Sequence, residues 1–169
     1  MKQIGILSDT HGVWDARFAE HFKDCDEVWH AGDIGDPEII TRLRQLVPAV
    51  HAVYGNIDGQ DIRWQYGEID RFRCEGVNVW MKHISGYPGK WAPGVKKLLV
   101  EERPGLVVGG HSHILKVIYD KELGLLHVNP GAAGRQGWQS VRTLIRIKID
   151  GTEIRDCEVI ELAWFKNFC

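Results

Sequence analysis

The first third of the chain alternates strand-like and helix-like segments, and this alternation restricts the possible folds more than any other feature. Apolar runs at Lys2–Leu7, Glu27–Ala31 and Ala49–Tyr54 are typical of buried strands. Helical spacing is found at Ala16–Phe22 and again after Asp36-Pro37, where we expect Asp36 as N-cap and Pro37 as the first helical residue. The order β-α-β-α-β predicts a parallel sheet with right-handed crossovers.

Strands dominate after about residue 68. Alternating runs at Ile69–Cys74 and Val77–Lys82 predict a hairpin, and Pro93–Glu102 predicts a helix. Five more strands are predicted at Leu106–Val108, Leu115–Tyr119, Leu125–Val128, Arg142–Ile149 and Thr152–Ile160. We therefore expect an α/β fold with two sheets packed face to face and helices outside, and 169 residues suggest a single domain over residues 1–169.

Polar motifs follow or lie within five of the strand-like segments. They are Asp9-Thr10-His11, Gly32-Asp33, Gly55-Asn56, His83 and Gly110-His111-Ser112-His113. Ligands gather at the carboxyl ends of strands in open α/β sheets. Carboxylates brought together there would repel one another unless a cation lay between them. Oxygen and nitrogen ligands without sulfur suit Mn, Fe, Zn, Ni or Co, so the pattern predicts a site for two divalent ions.

Charge and cysteine content narrow the class of function. The net charge is -2, which gives no basic field for nucleic acid, although bound metals can still attract a phosphate substrate. None of the four cysteines forms a C-x-x-C pair, so we expect reduced thiols. The apolar run Gln3–Leu7 is too short for a signal peptide, and no segment reaches the length of a membrane span. We expect a cytoplasmic protein without a membrane partner.

The ordered motifs resemble those of the calcineurin-like metallophosphoesterase superfamily. Ser8-Asp9-Thr10-His11-Gly12, His30-Ala31-Gly32-Asp33 and Asn129-Pro130-Gly131 are similar to its small bacterial and archaeal branch, the YfcE-type phosphodiesterases, over residues 2–160. The resemblance implies a four-layer α/β/β/α sandwich, the metallo-dependent phosphatase fold. It also implies an enzyme that hydrolyses a small-molecule phosphodiester by means of a hydroxide bridging two ions.

The resemblance also implies a distribution of ligands between the ions. Asp9, His11 and His113 would hold the first ion, Asn56, His83 and His111 the second, and Asp33 would bridge them. The ions would be Mn first, with Ni, Fe, Zn, Co or Mg as alternatives. Asp33, Asn56, Asp58 and His111 are the expected catalytic residues.

Two positions depart from the family pattern. Many members carry a histidine after Gly-Asn that protonates the leaving oxygen, and this chain has Ile57 followed by Asp58. Either Asp58 or water serves as the acid, or the leaving group needs none. We expect weak activity on alkyl monoesters and better activity on aryl diesters. The second departure is Ile84, which replaces the usual glycine after His83.

Other hypotheses remain open at this stage. The same fold serves as a noncatalytic scaffold in the retromer complex, and a cyclic-nucleotide phosphodiesterase or nuclease is a further alternative. His30 either orients a metal ligand or is a core histidine. Aromatic residues predicted in loops would wall the substrate pocket or form a homo-oligomer interface. The apolar tail Leu162-Ala163-Trp164-Phe165 is expected to dock on the body or on another subunit.

Overall fold

The computed structural model describes residues 1–162 and contains two five-stranded sheets and a small hairpin. The strands are β1 (Lys2–Leu7), β2 (Glu27–His30), β3 (Ala49–Ala52), β4 (Ile69–Cys74), β5 (Val77–Lys82), β6 (Gly86–Tyr87), β7 (Lys90–Trp91), β8 (Leu106–Val108), β9 (Lys116–Asp120), β10 (Leu125–Asn129), β11 (Arg142–Asp150) and β12 (Glu153–Leu162). The helices are α1 (Ala16–Phe22), α2 (Glu38–Leu46), α3 (Gln60–Arg63) and α4 (Val95–Glu102).

Both large sheets mix parallel and antiparallel pairs. The first has the order β12-β11-β1-β2-β3, with β1, β2 and β3 parallel as the sequence predicts. The second has the order β4-β5-β8-β10-β9, with β5, β8 and β10 parallel. Parallel neighbours place their carboxyl ends at one edge of a sheet, and in both sheets the predicted site residues follow those ends.

Three apolar clusters define four layers. Ile6 of β1 and Met81 of β5 share the cluster between the two sheets. Phe22 of α1 packs on the other face of the first sheet, and Leu99 of α4 packs on the outer face of the second. Successive side chains of a strand point to opposite faces of its sheet, so neighbouring residues in one strand pack into different layers of the sandwich. The predicted α/β/β/α sandwich is therefore confirmed.

Local details differ from the sequence-based predictions. Helix α2 begins at Glu38 with Pro37 as N-cap, while Asp36 accepts a hydrogen bond from the Glu38 backbone N–H. Helix α3 and the β6–β7 hairpin were not predicted, because segments of four and two residues are too short to show a period. The predicted helix at Pro93 begins only at Val95, after Gly94 at φ 80°.

Several remaining predictions concern single residues. Trp29 and Trp80 are buried in the core, and the thiols of Cys25, Cys74 and Cys157 are free. None of the helices within residues 1–162 has the length and apolar character to cross a bilayer. Leu162, the first residue of the apolar tail, is buried in the cluster that contains Phe22, and the rest of the predicted tail, from residue 163 onward, lies outside the described residues.

Candidate metal centre

The five polar motifs meet at one rim of the sandwich. Each follows the carboxyl end of a parallel strand, namely β1, β2, β3, β5 or β8. The two sheets are joined directly at this rim, because the Nδ1 atom of His83 lies 2.7 Å from the carbonyl oxygen of Ala31. The backbone N–H of Gly110 donates to the carbonyl of His83 at 2.9 Å. Side chains from both sheets therefore face a common space.

Asp9, His11 and His113 form the first group of candidate ligands, with ligand atoms that all lie within 4.8 Å of one another. Oδ1 of Asp9 is 3.1 Å from Nε2 of His113 and 3.8 Å from Nε2 of His11. The Nδ1 atom of His113 pairs with Oε1 of Gln139 at 2.8 Å. A proton on that Nδ1 leaves a lone pair on Nε2, which is the arrangement that a metal requires.

Asp33, His83 and His111 form the second group, again within 4.8 Å. The amide oxygen of Asn56 joins them, at 3.1 Å from Nε2 of His83 and 3.0 Å from Nδ1 of His111. Because Nδ1 of His83 pairs with the Ala31 carbonyl, Nε2 is the nitrogen that can present a lone pair to a bound ion. The structure thus brings all seven predicted ligands into two adjacent groups.

The Asp33 carboxylate lies between the two groups. Its Oδ2 is 3.2 Å from Nε2 of His83 and 3.6 Å from Nε2 of His11, which belongs to the first group. Its Oδ1 accepts a hydrogen bond from the Ile57 backbone N–H at 3.1 Å, which fixes the orientation of the carboxylate. A carboxylate in this position has access to both groups at once.

Most of the candidate ligands have an unfavourable backbone conformation. Positive φ angles occur at five of the seven, namely Asp9 (55°), His11 (48°), Asp33 (53°), His111 (72°) and His113 (61°). A left-handed conformation costs a non-glycine residue about 1–2 kcal/mol. Such conformations persist where surrounding structure enforces them, and they concentrate at functional sites. The conformations therefore support a function for this rim beyond stability.

The electrostatics of the cluster show that it attracts positive charge. Burial acts to raise the pKa of Asp9, but the neighbouring imidazoles of His11 and His113 hold it far below its usual range. The Asp9 carboxylate raises the pKa of His113 to about 9. Burial acts to lower the pKa of His83, yet the carboxylates of Asp33 and Asp9 raise it overall. Protons on these imidazoles balance the carboxylates in the way that bound cations would.

Two buried polar atoms of this cluster bear on whether its side chains fit a metal ion. Among residues 1–162, Oδ1 of Asp9 and Nε2 of His11 are buried without a hydrogen-bond partner. Buried polar atoms are almost always paired, and a bound cation would satisfy both of these ligand atoms. The residues present therefore fit divalent metals.

Supporting contacts come from residues that the sequence indicated only in part. Nδ1 of His30 accepts from the Gly32 N–H, so its Nε2 donates to the Thr10 hydroxyl at 3.0 Å. His30 thus connects the turns that carry Asp9 and Asp33. Burial lowers the pKa of His30 to about 3, so it stays neutral. Gln139, which orients His113, lies in a loop without any motif and was missed.

The segment Asn129-Pro130-Gly131 contacts the loop that carries His111. Asn129 Nδ2 donates to the Gly110 carbonyl at 3.0 Å and to the Ser112 hydroxyl at 3.2 Å. The Asn129 side chain therefore supports the Gly-His-Ser-His loop.

Asp58 lies apart from the two ligand groups found among the described residues. Its carboxylate is buried and accepts hydrogen bonds from the backbone N–H groups of Ile34, Gly35 and Gly55 at 2.8–3.1 Å. These bonds join the turns that carry Asp33 and Asn56. The neighbouring Ile57 is 48% exposed, so this position presents a hydrocarbon side chain that cannot donate a proton.

Comparison with known proteins agrees with this geometry. A family model for the calcineurin-like phosphoesterase superfamily domain matches residues 1–152. A probable metallophosphoesterase of Methanothermobacter thermautotrophicus is 31% identical over 171 residues, which cover 93% of this chain and 91% of that relative.

Solved structures share the fold. Vps29 of Chaetomium thermophilum superposes with a TM-score of 0.75 at 13% identity, covering 96% of this chain and 97% of that one. Zinc-complexed Vps29 of Entamoeba histolytica gives 0.73 at 16% identity, covering 94% and 98%. An archaeal phosphodiesterase gives 0.69 at 23% identity, covering 95% and 99%. Fold, ligand geometry and family match agree, and the chain belongs to the calcineurin-like phosphoesterase superfamily.

Proposed function

We propose that this protein is a phosphodiesterase that uses two divalent metal ions. The observation that carries the proposal is the position of Asp33, whose Oδ2 lies within 3.6 Å of imidazoles from both ligand groups. A carboxylate shared between two ligand sets is the arrangement that a dinuclear centre needs. A single ion would occupy one ligand group and leave the other group without a cation.

The residues divide into two ligand sets with Asp33 common to both. Asp9, His11 and His113 would hold one ion, and Asn56, His83 and His111 the other. When bound, such ions lower the pKa of water toward neutrality and neutralise charge on phosphate oxygens. We place Mn²⁺ first among the candidates, because the ligands are oxygen and nitrogen without sulfur.

The protein's own residues set the charge of the site. Asn56 contributes an oxygen without a negative charge, so only Asp9 and Asp33 carry charge among the seven proposed ligands. Two carboxylates against two divalent ions leave a net positive site for a phosphate anion. A diester carries one negative charge and fits such a site.

The nature of the leaving group follows from Ile57. A hydrocarbon side chain cannot donate a proton, so esters whose leaving group departs without protonation are favoured. We propose that aryl diesters react faster than alkyl monoesters. Asp58 would be a positioning residue, because its carboxylate accepts three backbone hydrogen bonds beneath the site.

The first test is removal and restoration of metal. Protein treated with a chelator is expected to lose hydrolysis of bis-p-nitrophenyl phosphate, and Mn²⁺, Ni²⁺, Zn²⁺ or Mg²⁺ would restore it to different extents. Metal content is measured in parallel by mass spectrometry. Full activity in the chelated protein would exclude the metal mechanism. An absence of activity with every metal, despite bound ions, would favour a noncatalytic scaffold.

A second test separates two roles for Asp58. Asp58→Asn replaces one acceptor oxygen by an NH₂ group that faces a backbone N–H. We expect a stability loss of about 1–3 kcal/mol in denaturant titration. We also expect kcat to fall by a similar factor for good and poor leaving groups. A loss that grows steeply with leaving-group pKa would instead assign Asp58 as the general acid.

A further inference from the structure

A small cavity opens beside the candidate metal centre, between the β6–β7 hairpin and the loop that carries His111. Its volume is about 190 Å³. The walls are formed largely by Ile84, Tyr87, Ala92 and the buried ring of His127, and His111 contributes to the same wall. A group attached to a phosphate at the metal centre can therefore extend directly into this cavity.

The size and character of the cavity suit one aromatic ring. An apolar cavity of about 150 Å³ is large enough to bind benzene. The mostly apolar walls favour an apolar group, and the aromatic side chains of Tyr87 and His127 in the lining favour contact with another ring. An alkyl chain would lose rotational freedom there that a rigid ring does not have.

The walls of the cavity are held in place before any ligand enters. The Trp91 indole N–H donates to Asp120 of β9 at 3.3 Å, and the Ala92 N–H donates to the Ser85 carbonyl at 3.0 Å. The Lys116 ammonium lies over the Tyr87 ring, 3.1 Å from its centroid. These contacts fix the hairpin to β9 from both of its strands. A preformed cavity binds a ring with little loss of conformational entropy.

His127 contributes a polar side chain to the wall of the cavity. The side chain is buried, with 1% exposure, and neither ring nitrogen makes a hydrogen bond of good geometry among residues 1–162. Burial lowers the pKa of His127 to about 4, so the ring is neutral at pH 7. A neutral imidazole offers one donor and one acceptor. Because unpaired buried polar atoms are costly, a polar substituent on a bound ring would be favoured.

We propose that this cavity is a subsite for a single-ring aryl ester group of the substrate, with His127 pairing to a polar ring substituent. The inference rests on the proposed phosphodiesterase function and names its substrate class. It also fits Ile57, since a phenolate leaves without a general acid. The cavity on the other side of His111, about 390 Å³, is walled by Trp138, whose indole is fully exposed. That open surface lacks the enclosure that selects one ring.

The test compares two small phosphonates on the full-length, Mn²⁺-loaded protein by titration calorimetry. Methylphosphonate reports on the metal centre alone, and phenylphosphonate adds the ring. We expect phenylphosphonate to bind about tenfold more tightly in the wild type, because the ring removes apolar surface from water. Ala92→Leu, which fills the cavity, and Tyr87→Ala, which opens its wall, should each reduce this ratio to about twofold or less.

Controls separate this cavity from the metal centre. Ala16→Leu makes the same change on an exposed face of α1 and should keep the tenfold ratio, and thermal melts establish that each variant is folded. Equal affinities for the two phosphonates in the wild type would overturn the cavity proposal while leaving the metal centre intact. Loss of the ratio in Trp138→Ala but not in Ala92→Leu would also overturn it. Failure of methylphosphonate to bind would overturn the proposed function itself.

A separate binding experiment tests whether His127 pairs with a polar ring substituent. A 4-nitrophenyl ring carries acceptor oxygens that its N–H can reach, so 4-nitrophenylphosphonate should bind the wild type more tightly than phenylphosphonate, by about threefold or more. His127→Leu keeps an apolar side chain of similar size and should abolish this difference while retaining the phenyl-over-methyl ratio. A preference that survives in His127→Leu would refute the pairing.

Discussion

An Asp33→Asn variant is expected to lose at least ~10²-fold in hydrolysis of bis-p-nitrophenyl phosphate, since groups that merely support metal ligands already cost 10–100-fold when removed. Asp33 is the carboxylate within reach of both ligand groups. An amide in its place donates where a lone pair is required and removes one of the two negative charges that would hold the ions. The bound metal should fall from two ions per chain to one or fewer.

Stability distinguishes loss of the metal centre from loss of the fold. The amide oxygen that Asp33→Asn introduces can still accept from the Ile57 N–H, so the metal-free variant should melt at or above the temperature of the metal-free wild type. Asp36→Asn is the matched control, because Asp36 lies three residues further on and, among residues 1–162, its carboxylate accepts only from the Glu38 N–H. Full activity in Asp33→Asn, or equal losses in both variants, would contradict the two-metal proposal.

The regular elements of this fold could be predicted because their signals are long. Strand β11 alternates in sequence over Leu144–Ile149, and Ile145, Ile147 and Ile149 lie in the core between the sheets. The β-α-β-α-β order indicated β1, β2 and β3 as parallel neighbours. Short elements such as α3 had no comparable signal, since the sole buried apolar residue in its four positions is Ile62.

The residues of the site could be predicted from the sequence, but their backbone conformations and supporting contacts could not. Motif order identified residues that the structure gathers at one rim, because parallel strands bring their carboxyl ends together. Asp9 and His11 lie two residues apart, a spacing that does not determine whether their side chains point the same way. In the structure both residues have a left-handed backbone conformation, which is uncommon for any residue other than glycine. Contacts such as Gln139 with His113 depend on loops far apart in sequence, and no local pattern encodes them.

The role of Asp58 illustrates the limit of reasoning by motif. Its place after Ile57 suggested a proton donor, and the sequence offered no other acidic residue at that point. The structure directs its carboxylate to three backbone N–H groups. Burial beneath two turns, which only the folded chain defines, makes the positioning role the better-supported hypothesis.

The turn after β3 approaches the turn after β2 closely at Gly55. A Cβ atom added there would overlap the backbone nitrogen and Oδ1 of Asp33, and would lie 2.8 Å from its Cγ. Backbone cannot rotate aside as a side chain can, so the two turns must separate. We expect Gly55→Ala to lower the free energy of unfolding by about 3 kcal/mol. The corresponding fall in melting temperature is about 6–12 °C for a chain of this length.

Gly59→Ala is the matched control for this experiment. It lies four residues further on, and its added Cβ would meet only Oδ1 of Asp61 at 3.4 Å, an ordinary contact. The free energy of unfolding should change by less than about 1 kcal/mol in that variant. Because separation of the turns moves Asp33 away from one ligand group, Gly55→Ala should also weaken metal binding by more than about tenfold. Equal stability and metal affinity in the two variants would mean that the β2 and β3 turns do not pack as closely as the proposed shared carboxylate requires.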